Sequence, residues 1–476
     1  MQNGVLAGLE PYEFFYWFEQ ISRFPRGSGN EGKISKFVYD FAITRGFEAT
    51  RDEFGNVFFT VPASTDYEKE APILLQAHLD MVCAKKEGLE FDFQNEPIQL
   101  MIKDGHLFAN GTTLGADNGK GVAVMLAIAN DPSIPHPMLE MLFTTEEETG
   151  MCGIKGFDMS KITARRMING DCGASHKICI SSVGAIQYRV SNKFETEALS
   201  NHEALCLKVR GGLGGHGGTM IHLNRACAVN VTGALLSAVK EEIRLISFKA
   251  LGAAIHPISD CVFAVEKTDK EVVIKKLKNA FATLYKHYAE SDSGLEIIIE
   301  NAKKEKAILK ENSANVIDLF CLLPTKDLRR QGDIIITSNS ISETILENGD
   351  FSLYGGVRSM YEQEFISTFE TYQGKMQELG FKVERLDGYS AWPMSENSKM
   401  QEKFKAAHKE LFGFEIETQH IHGGIEVGQI LKAIPDMDAV GIGTTTSGSH
   451  TPNETLYIDE VAPYWQLMLK VLSTKG

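Results

Sequence analysis

Residues 73–82 read Ile73-Leu74-Leu75-Gln76-Ala77-His78-Leu79-Asp80-Met81-Val82, an apolar run that hands over to a histidine and an aspartate. The run predicts a buried strand with His78 and Asp80 at or just past its carboxyl end. Residues two apart in a strand point to one side. The Asp80 carboxylate can therefore accept one ring N–H of His78, fixing the tautomer and strengthening the other nitrogen as a metal ligand. Taken alone, a His-x-Asp is more often a satisfied core histidine near a surface carboxylate. The rest of the chain decides between these readings.

Three more strand-like segments end in the same way. Segment 138–143 runs into Thr144-Thr145-Glu146-Glu147-Glu148-Thr149-Gly150, and 167–169 stops at Gly170-Asp171. Segment 438–442 leads to Thr444-Thr445-Thr446-Ser447-Gly448-Ser449-His450-Thr451. In addition, Gly111-Thr112-Thr113-Leu114-Gly115-Ala116-Asp117-Asn118-Gly119 opens a helix expected over 120–129. In open α/β sheets the site lies beyond the carboxyl ends of the strands. Helices alternating with these strands predict an α/β fold, its mixed, largely parallel sheet covered on both faces.

A chain of 476 residues exceeds one ordinary core, so more than one domain is expected. Lys plus Arg total 48 against 63 Asp plus Glu, a net charge of −15. That balance argues against nucleic acid or an anionic membrane surface as partner. Eight cysteines without a Cys-x-x-Cys pair read as reduced thiols. The aromatic-rich stretch 11–22 reads as an amphipathic helix, not a signal peptide, and no apolar run is long enough to span a membrane. A cytoplasmic address is the expectation.

Around Gly184 the texture changes. Strands expected at 204–209, 262–265, 295–299, 334–336 and 351–355, with helices over 226–246 and 271–290, suggest an α+β insert without catalytic-looking turns. The first texture returns after Gly388, with helices over 398–411, 426–431 and 461–472. The expected organisation is one catalytic domain in two parts, 1–186 and 388–476, interrupted by an inserted domain at 187–387.

Pooled together, the polar endings are His78, Asp80, Asp117, Glu147, Glu148, Asp171 and His450. Two imidazoles with several carboxylates suit zinc or a similar divalent ion, not Mg²⁺ or Ca²⁺ held by oxygen alone. Two such ions need a bridging carboxylate, and Asp117 suits that, since its flanking glycines let the backbone approach closely. Of the consecutive Glu147 and Glu148, one can bind metal while the other stays free as general base. The metals would acidify a bridging water, and the free Glu would take its proton as it attacks a carbonyl. The acidic triplet alone could equally be a charged loop. So many carboxylates in one place oppose one another's ionisation unless cations intervene.

His78-Leu79-Asp80, Gly115-Ala116-Asp117-Asn118-Gly119, Glu147-Glu148-Thr149-Gly150, Asp171 and Ser449-His450-Thr451 resemble the five-part signature of the dizinc aminoacylase/carboxypeptidase superfamily of metallopeptidases. The stretches 75–82, 111–119 and His422-Gly423-Gly424-Ile425-Glu426 are similar to one branch, the bacterial aminoacyl-histidine dipeptidases. The resemblance implies that His78 and Asp171 bind one zinc, Glu148 and His450 the other, and that Asp117 bridges them. It implies Asp80 as the partner of His78 and Glu147 as general acid/base, the count back from Gly150 leaving Glu146 aside. It also points to a cis peptide after Asp117, and it implies zinc binding in the domain made of 1–186 and 388–476 and a lid in the insert at 187–387.

In the insert, Gly211-Gly212-Leu213-Gly214-Gly215-His216-Gly217-Gly218 lacks the ending of a phosphate loop. By itself it reads as a flexible hairpin tip with an exposed His. The resemblance implies instead that His216 polarises the substrate carbonyl oxygen, by swinging onto the zincs or from a second subunit. Gly217 stands where the family more often has Ser. Arg358 resembles the family's carboxylate-binding Arg, and a surface Arg on a sheet edge is the equal alternative. Asn339 and His422 are further substrate-contact candidates, while His222, His256 and His420 read as structural. The implied function is a dizinc dipeptidase acting on small peptides, Xaa-His among them. Two Zn²⁺ are its cofactors, with Co²⁺ or Mn²⁺ as substitutes, and the lid domain is where a homodimer would form. The alternatives are an aminoacylase, a tripeptidase, a carboxypeptidase or a non-catalytic zinc-binding paralogue, although the last would be expected to lack a ligand or the base. No Gly-x-Ser-x-Gly elbow supports a serine nucleophile.

Overall fold

A computed structural model describes residues 4–199, 203–250, 255–266, 268–303 and 306–476. The chain forms two compact units, one of Met1–Ser182, Trp392–His420 and Ile425–Gly476, the other of Val183–Ala391 with Ile421–Gly424. The short segment Ile421–Gly424 thus belongs to the second unit, although the sequence reading kept it with 388–476.

Among the described residues the first unit has an eight-stranded sheet. Its order is Ala49–Arg51, Val57–Val61, Leu139–Thr144, Ile73–His78, Arg166–Asn169, Asp438–Gly441, Lys177–Ser182, Glu417–Ile421. The four strands from Leu139–Thr144 to Asp438–Gly441 are parallel, with antiparallel neighbours outside them. Every residue of Ile73–His78 and Leu139–Thr144 is buried, as a sheet covered on both faces requires. The mixed sheet expected from the sequence is present, its parallel part confined to the four central strands.

Register is what places the site. His78 pairs with Thr144, Gln76 with Asn169, and Asn169 with Gly441. The turns after these strands consequently leave from one edge of the sheet, carrying His78, the Glu147-Glu148 turn, Asp171 and the chain toward His450. A core lies behind them. The helix Tyr12–Ile21 buries Phe14, Phe15, Trp17, Phe18 and Ile21. On the sheet itself, Phe59 stacks on Phe143 at 5.8 Å and on Phe47 at 5.6 Å.

The polar stretch after Lys85 is not all loop. Leu100–Lys103 and His106–Ala109 pair with each other and, through Thr455–Tyr457, with Thr446–Ser447 in a small antiparallel sheet. The first two strands are only four residues long; Leu100–Lys103 is largely exposed, whereas His106–Ala109 buries Leu107 and Ala109. His450 lies in the hairpin between Thr446–Ser447 and Thr455–Tyr457.

Among the described residues the second unit has a nine-stranded sheet in which neighbouring strands are antiparallel. It runs Glu296–Ala302, Glu203–Arg210, Ser259–Val265, Ile243–Ala250, Ile334–Glu347, Asp350–Ser359, Gly184–Lys193, Lys382–Tyr389, with Lys326–Gln331 pairing beside Ile334–Glu347. The helix expected over 226–246 is corrected. The α-helix covers Ala228–Ser237, and Ile243–Ala250 is a strand. The apolar spacing of Ile243, Leu245, Ile246 and Phe248 fits either period, and pairing with Ser259–Val265 selects the strand. The reading of all cysteines as reduced thiols is also corrected, since Cys172 and Cys179 form a disulfide. Lys177–Ser182 folds Cys179 back until the two Cα atoms lie 6.4 Å apart. Among the described residues no helix is long and apolar enough to cross a membrane.

Phe59 is fully buried among aromatic neighbours, so Phe59→Ala should destabilise the first unit by about 3–5 kcal/mol and Phe59→Leu by clearly less. Urea unfolding followed by tryptophan fluorescence, with Trp17 in the same core, measures the difference.

Candidate active site

The carboxylate of Asp80 is fully buried at the end of the central strand. It faces His78 Nδ1 at 3.3 Å and accepts a hydrogen bond from Ser28 Oγ at 2.8 Å. It also accepts the backbone N–H groups of Glu147 at 3.1 Å and Glu148 at 3.2 Å. One side chain thereby orients the imidazole and pins the acidic turn. The Glu146 N–H goes elsewhere, to the buried Glu31 carboxylate at 2.9 Å. This separates Glu146 from the pair that follows it.

With Nδ1 engaged, His78 presents Nε2 to Asp117 Oδ1 at 3.3 Å and to Asp171 Oδ1 at 3.6 Å. His450 presents Nε2 to Glu148 Oε1 at 2.9 Å and to Asp117 Oδ2 at 3.4 Å. Asp117 therefore lies between two groups, one oxygen toward each histidine. Donor atoms of His78, Asp117 and Glu148 all lie within 4.8 Å of one another. Asp117 Oδ1 is buried and makes no hydrogen bond. The Asp117–Asn118 peptide is cis.

The electrostatics reflect crowded anions. Burial works against a charged His78, yet Asp117, Asp171 and Asp80 hold it well above the usual imidazole range. Asp117 and Glu148 push His450 up to about 10. Burial, then the charge of Asp117, pushes Asp171 up to about 6. Burial also raises Glu147 well above an ordinary carboxyl, and repulsion from Asp171, Glu148 and Glu426 adds to it against the pull of His78. These groups collectively seek positive charge. Imidazole nitrogens and carboxylate oxygens converging around a shared carboxylate, one of whose oxygens is buried without a hydrogen bond, fit divalent cations.

The second unit holds its own cluster. His216 Nδ1 accepts the N–H groups of Gly218 at 3.2 Å and Thr219 at 3.0 Å, so the proton of the neutral ring sits on Nε2. The loop around it is tied at its base by Asp292. That buried carboxylate accepts the N–H groups of Leu213 and Ala226, each at 2.8 Å. Arg358 donates to Ser340 Oγ at 2.8 Å and to the Gly217 carbonyl at 3.4 Å. His422 Nε2 meets Ser338 Oγ at 2.7 Å, and burial together with Arg358 lowers this imidazole to about 4. Asn339 is not brought to this group. Alternation along the strand puts Ser338 and Ser340 on one face and Asn339 on the other. There the buried Asn339 accepts from Tyr188 Oη at 2.9 Å and donates to the Pro324 carbonyl at 2.8 Å. His420 is engaged by Ser181 Oγ at 2.7 Å.

Two features escaped sequence reasoning. Arg26 is buried and donates to the carbonyls of Leu79 at 2.9 Å, Asp80 at 3.1 Å and Gly115. Glu426, also buried, accepts from Gln76 Nε2 and from Thr144 Oγ1 at 2.6 Å. Gln76 in turn accepts from Asn169 Nδ2 at 2.6 Å, and Asn169 Oδ1 accepts the Asp171 N–H at 3.0 Å. A layer of polar side chains thus joins the ends of three strands beneath the acidic cluster. The available signal was Gln76, Thr144 and Asn169, polar residues closing otherwise apolar strands.

Comparison with known proteins agrees with this geometry. The model of peptidase family M20/M25/M40 matches residues 74–474. The chain is 31% identical to the cytosol non-specific dipeptidase of Escherichia coli, the match covering 98% of each. The crystal structure of aminoacylhistidine dipeptidase from Vibrio alginolyticus superposes with a TM-score of 0.86 at 25% identity, covering 100% of this chain and 99% of that one. Aminopeptidase PepT from Bacillus cereus shares the fold, with a TM-score of 0.58 at 16% identity over 98% of each chain. A family match across nearly the whole length, together with a relative of that identity, leads to one conclusion: this chain belongs to peptidase family M20/M25/M40 and is a peptide hydrolase.

Proposed function

We propose that this peptidase is a dipeptidase working with two divalent cations, zinc foremost and Co²⁺ or Mn²⁺ as substitutes, and that Xaa-His peptides are among its substrates. The observation that carries the reading is Asp117, with one oxygen toward His78 and the other toward His450. His78 and Asp171 would hold one ion, Glu148 and His450 the other, and Asp117 both. When bound, the ions supply Lewis-acid chemistry at neutral pH.

The chain's own residues do the rest. Asp80 holds the His78 ring so that Nε2 faces the ions. Glu147, raised well above an ordinary carboxyl by burial and like charge, takes a proton from the attacking water and returns it to the leaving amine. His216, its proton held on Nε2, donates to the carbonyl oxygen as negative charge develops there. Arg358 grips the substrate's terminal carboxylate, with His422 as a neutral neighbour. In this reading Asn339 holds the sheet and not the substrate. The dipeptide preference is supported by the names of the Escherichia coli and Vibrio relatives. The cytosolic address of the former is extended here to this chain. A homodimer is placed through the second unit, whose sheet ends on the exposed strand Glu296–Ala302.

Glu147→Ala should keep its metal and lose turnover by about 10²–10⁴-fold, whereas Glu148→Ala should lose one metal equivalent. Elemental analysis beside a dipeptide assay separates the two, and the reverse result would exchange their roles. Chelation should abolish hydrolysis and Zn²⁺ restore it; activity indifferent to chelators would overturn the metal-dependent reading. For Arg358→Ala, KM for a dipeptide should rise about 10–100-fold, the worth of a charged hydrogen bond. The variant should also stop distinguishing the dipeptide from its C-terminal amide, which steady-state kinetics on both substrates would read.

A further inference from the structure

Glu454 lies in the same hairpin loop as His450, and its side chain is buried. Its carboxylate accepts three backbone N–H groups from one turn. Oε2 takes those of Leu114 and Gly115, each at 2.8 Å, and Oε1 takes that of Asp117 at 3.0 Å. The turn is held from a second direction by Arg26, which donates to the Gly115 carbonyl and to the carbonyls of Leu79 and Asp80. Gly115 has φ of 72°, and a Cβ there would sit 2.5 Å from an Arg26 Nη. The turn therefore has little room to shift.

Both Glu454 oxygens are occupied by N–H donors, so this carboxylate anchors backbone. Hydrogen bonds to an ionised acceptor are roughly twice as strong as neutral ones. Three of them on one turn fix where the Asp117 side chain begins. Because Glu454 shares its loop with His450, the same bonds fix the distance between the two loops that bring Asp117 and His450 together. We infer that Glu454 is a positioning residue for Asp117: it sets the shared carboxylate between the two histidines and couples it to the His450 loop. The inference rests on the proposal that Asp117 ligates both cations. A Gln at 454 could accept only through its single oxygen, and its NH₂ would confront an N–H donor.

The test is Co²⁺ titration of chelator-treated protein, following stoichiometry and the visible absorption of the bound ion. Wild type should bind two equivalents. Glu454→Gln and the shorter Glu454→Asp should bind Co²⁺ at least about tenfold more weakly, as loss of an outer partner of a ligand does, with an altered absorption band. Their far-UV circular dichroism in chelator should stay near wild type. Should the Gln variant not fold, the Asp variant carries the same reading. In an Asp117→Asn background, Glu454→Gln should add little further loss, because the residue it acts through is already disabled. Titration curves and spectra equal to wild type, or an additive loss in that background, would overturn the inference. No Co²⁺ uptake by wild type would overturn the metal reading beneath it, which distinguishes the two failures.

Discussion

The structure turns on the buried charge of Asp80. An isolated carboxylate in an apolar interior is penalised heavily unless hydrogen bonds replace its water. Here the His78 ring, the Ser28 hydroxyl and the Glu147 and Glu148 amides surround it. These bonds more than offset the effect of burial, and the carboxyl is held below its usual range. The imidazole and the acidic turn are therefore not positioned independently. Moving either would leave Asp80 short of a donor, so the geometry of both is fixed by the same charge.

Beneath that hub the sheet divides its duties by depth. The strand Ile73–His78 is apolar until Gln76, and Leu139–Thr144 and Arg166–Asn169 each close on a polar residue at the carboxyl edge. There Gln76, Thr144 and Asn169 are joined by hydrogen bonds, and Glu426 accepts from Gln76 and Thr144 through Oε2 while its Oε1 is buried without a hydrogen-bond partner. Asp171 hangs from this layer through its backbone amide. The acidic cluster thus rests on a rigid platform, although most of the groups directly around it sit on turns.

Much of this was legible in the sequence, for a definite reason. His78, Asp117, Glu148, Asp171 and His450 all stand on turns expected at strand ends or at the start of a helix, and local pattern is what a sequence displays. The parallel core was readable because its strands are mostly apolar and lead into polar turns. What stayed hidden depends on partners far along the chain. Arg26 and Asp292 act on backbone groups, which have no residue type to recognise. Asn339 stands one step of strand parity from Ser338 and Ser340, enough to turn its side chain to the opposite face, where it meets Tyr188 and Pro324. The strand Ile243–Ala250 was lost because its apolar residues match two periods at once, and only pairing with Ser259–Val265 decides.

The first unit is assembled from chain segments on either side of the second. A growing polypeptide emerges from the ribosome in order, and domains ordinarily fold as they appear. Here the early strands must wait, because the Asp438–Gly441 strand and the His450 hairpin follow the second unit in the chain and are made after it. Until then the acidic turns have neither their second imidazole nor the hairpin strand that pairs with His106–Ala109. Translation order alone thus keeps His450 from joining His78, Asp117 and Glu148 until the second unit has been made.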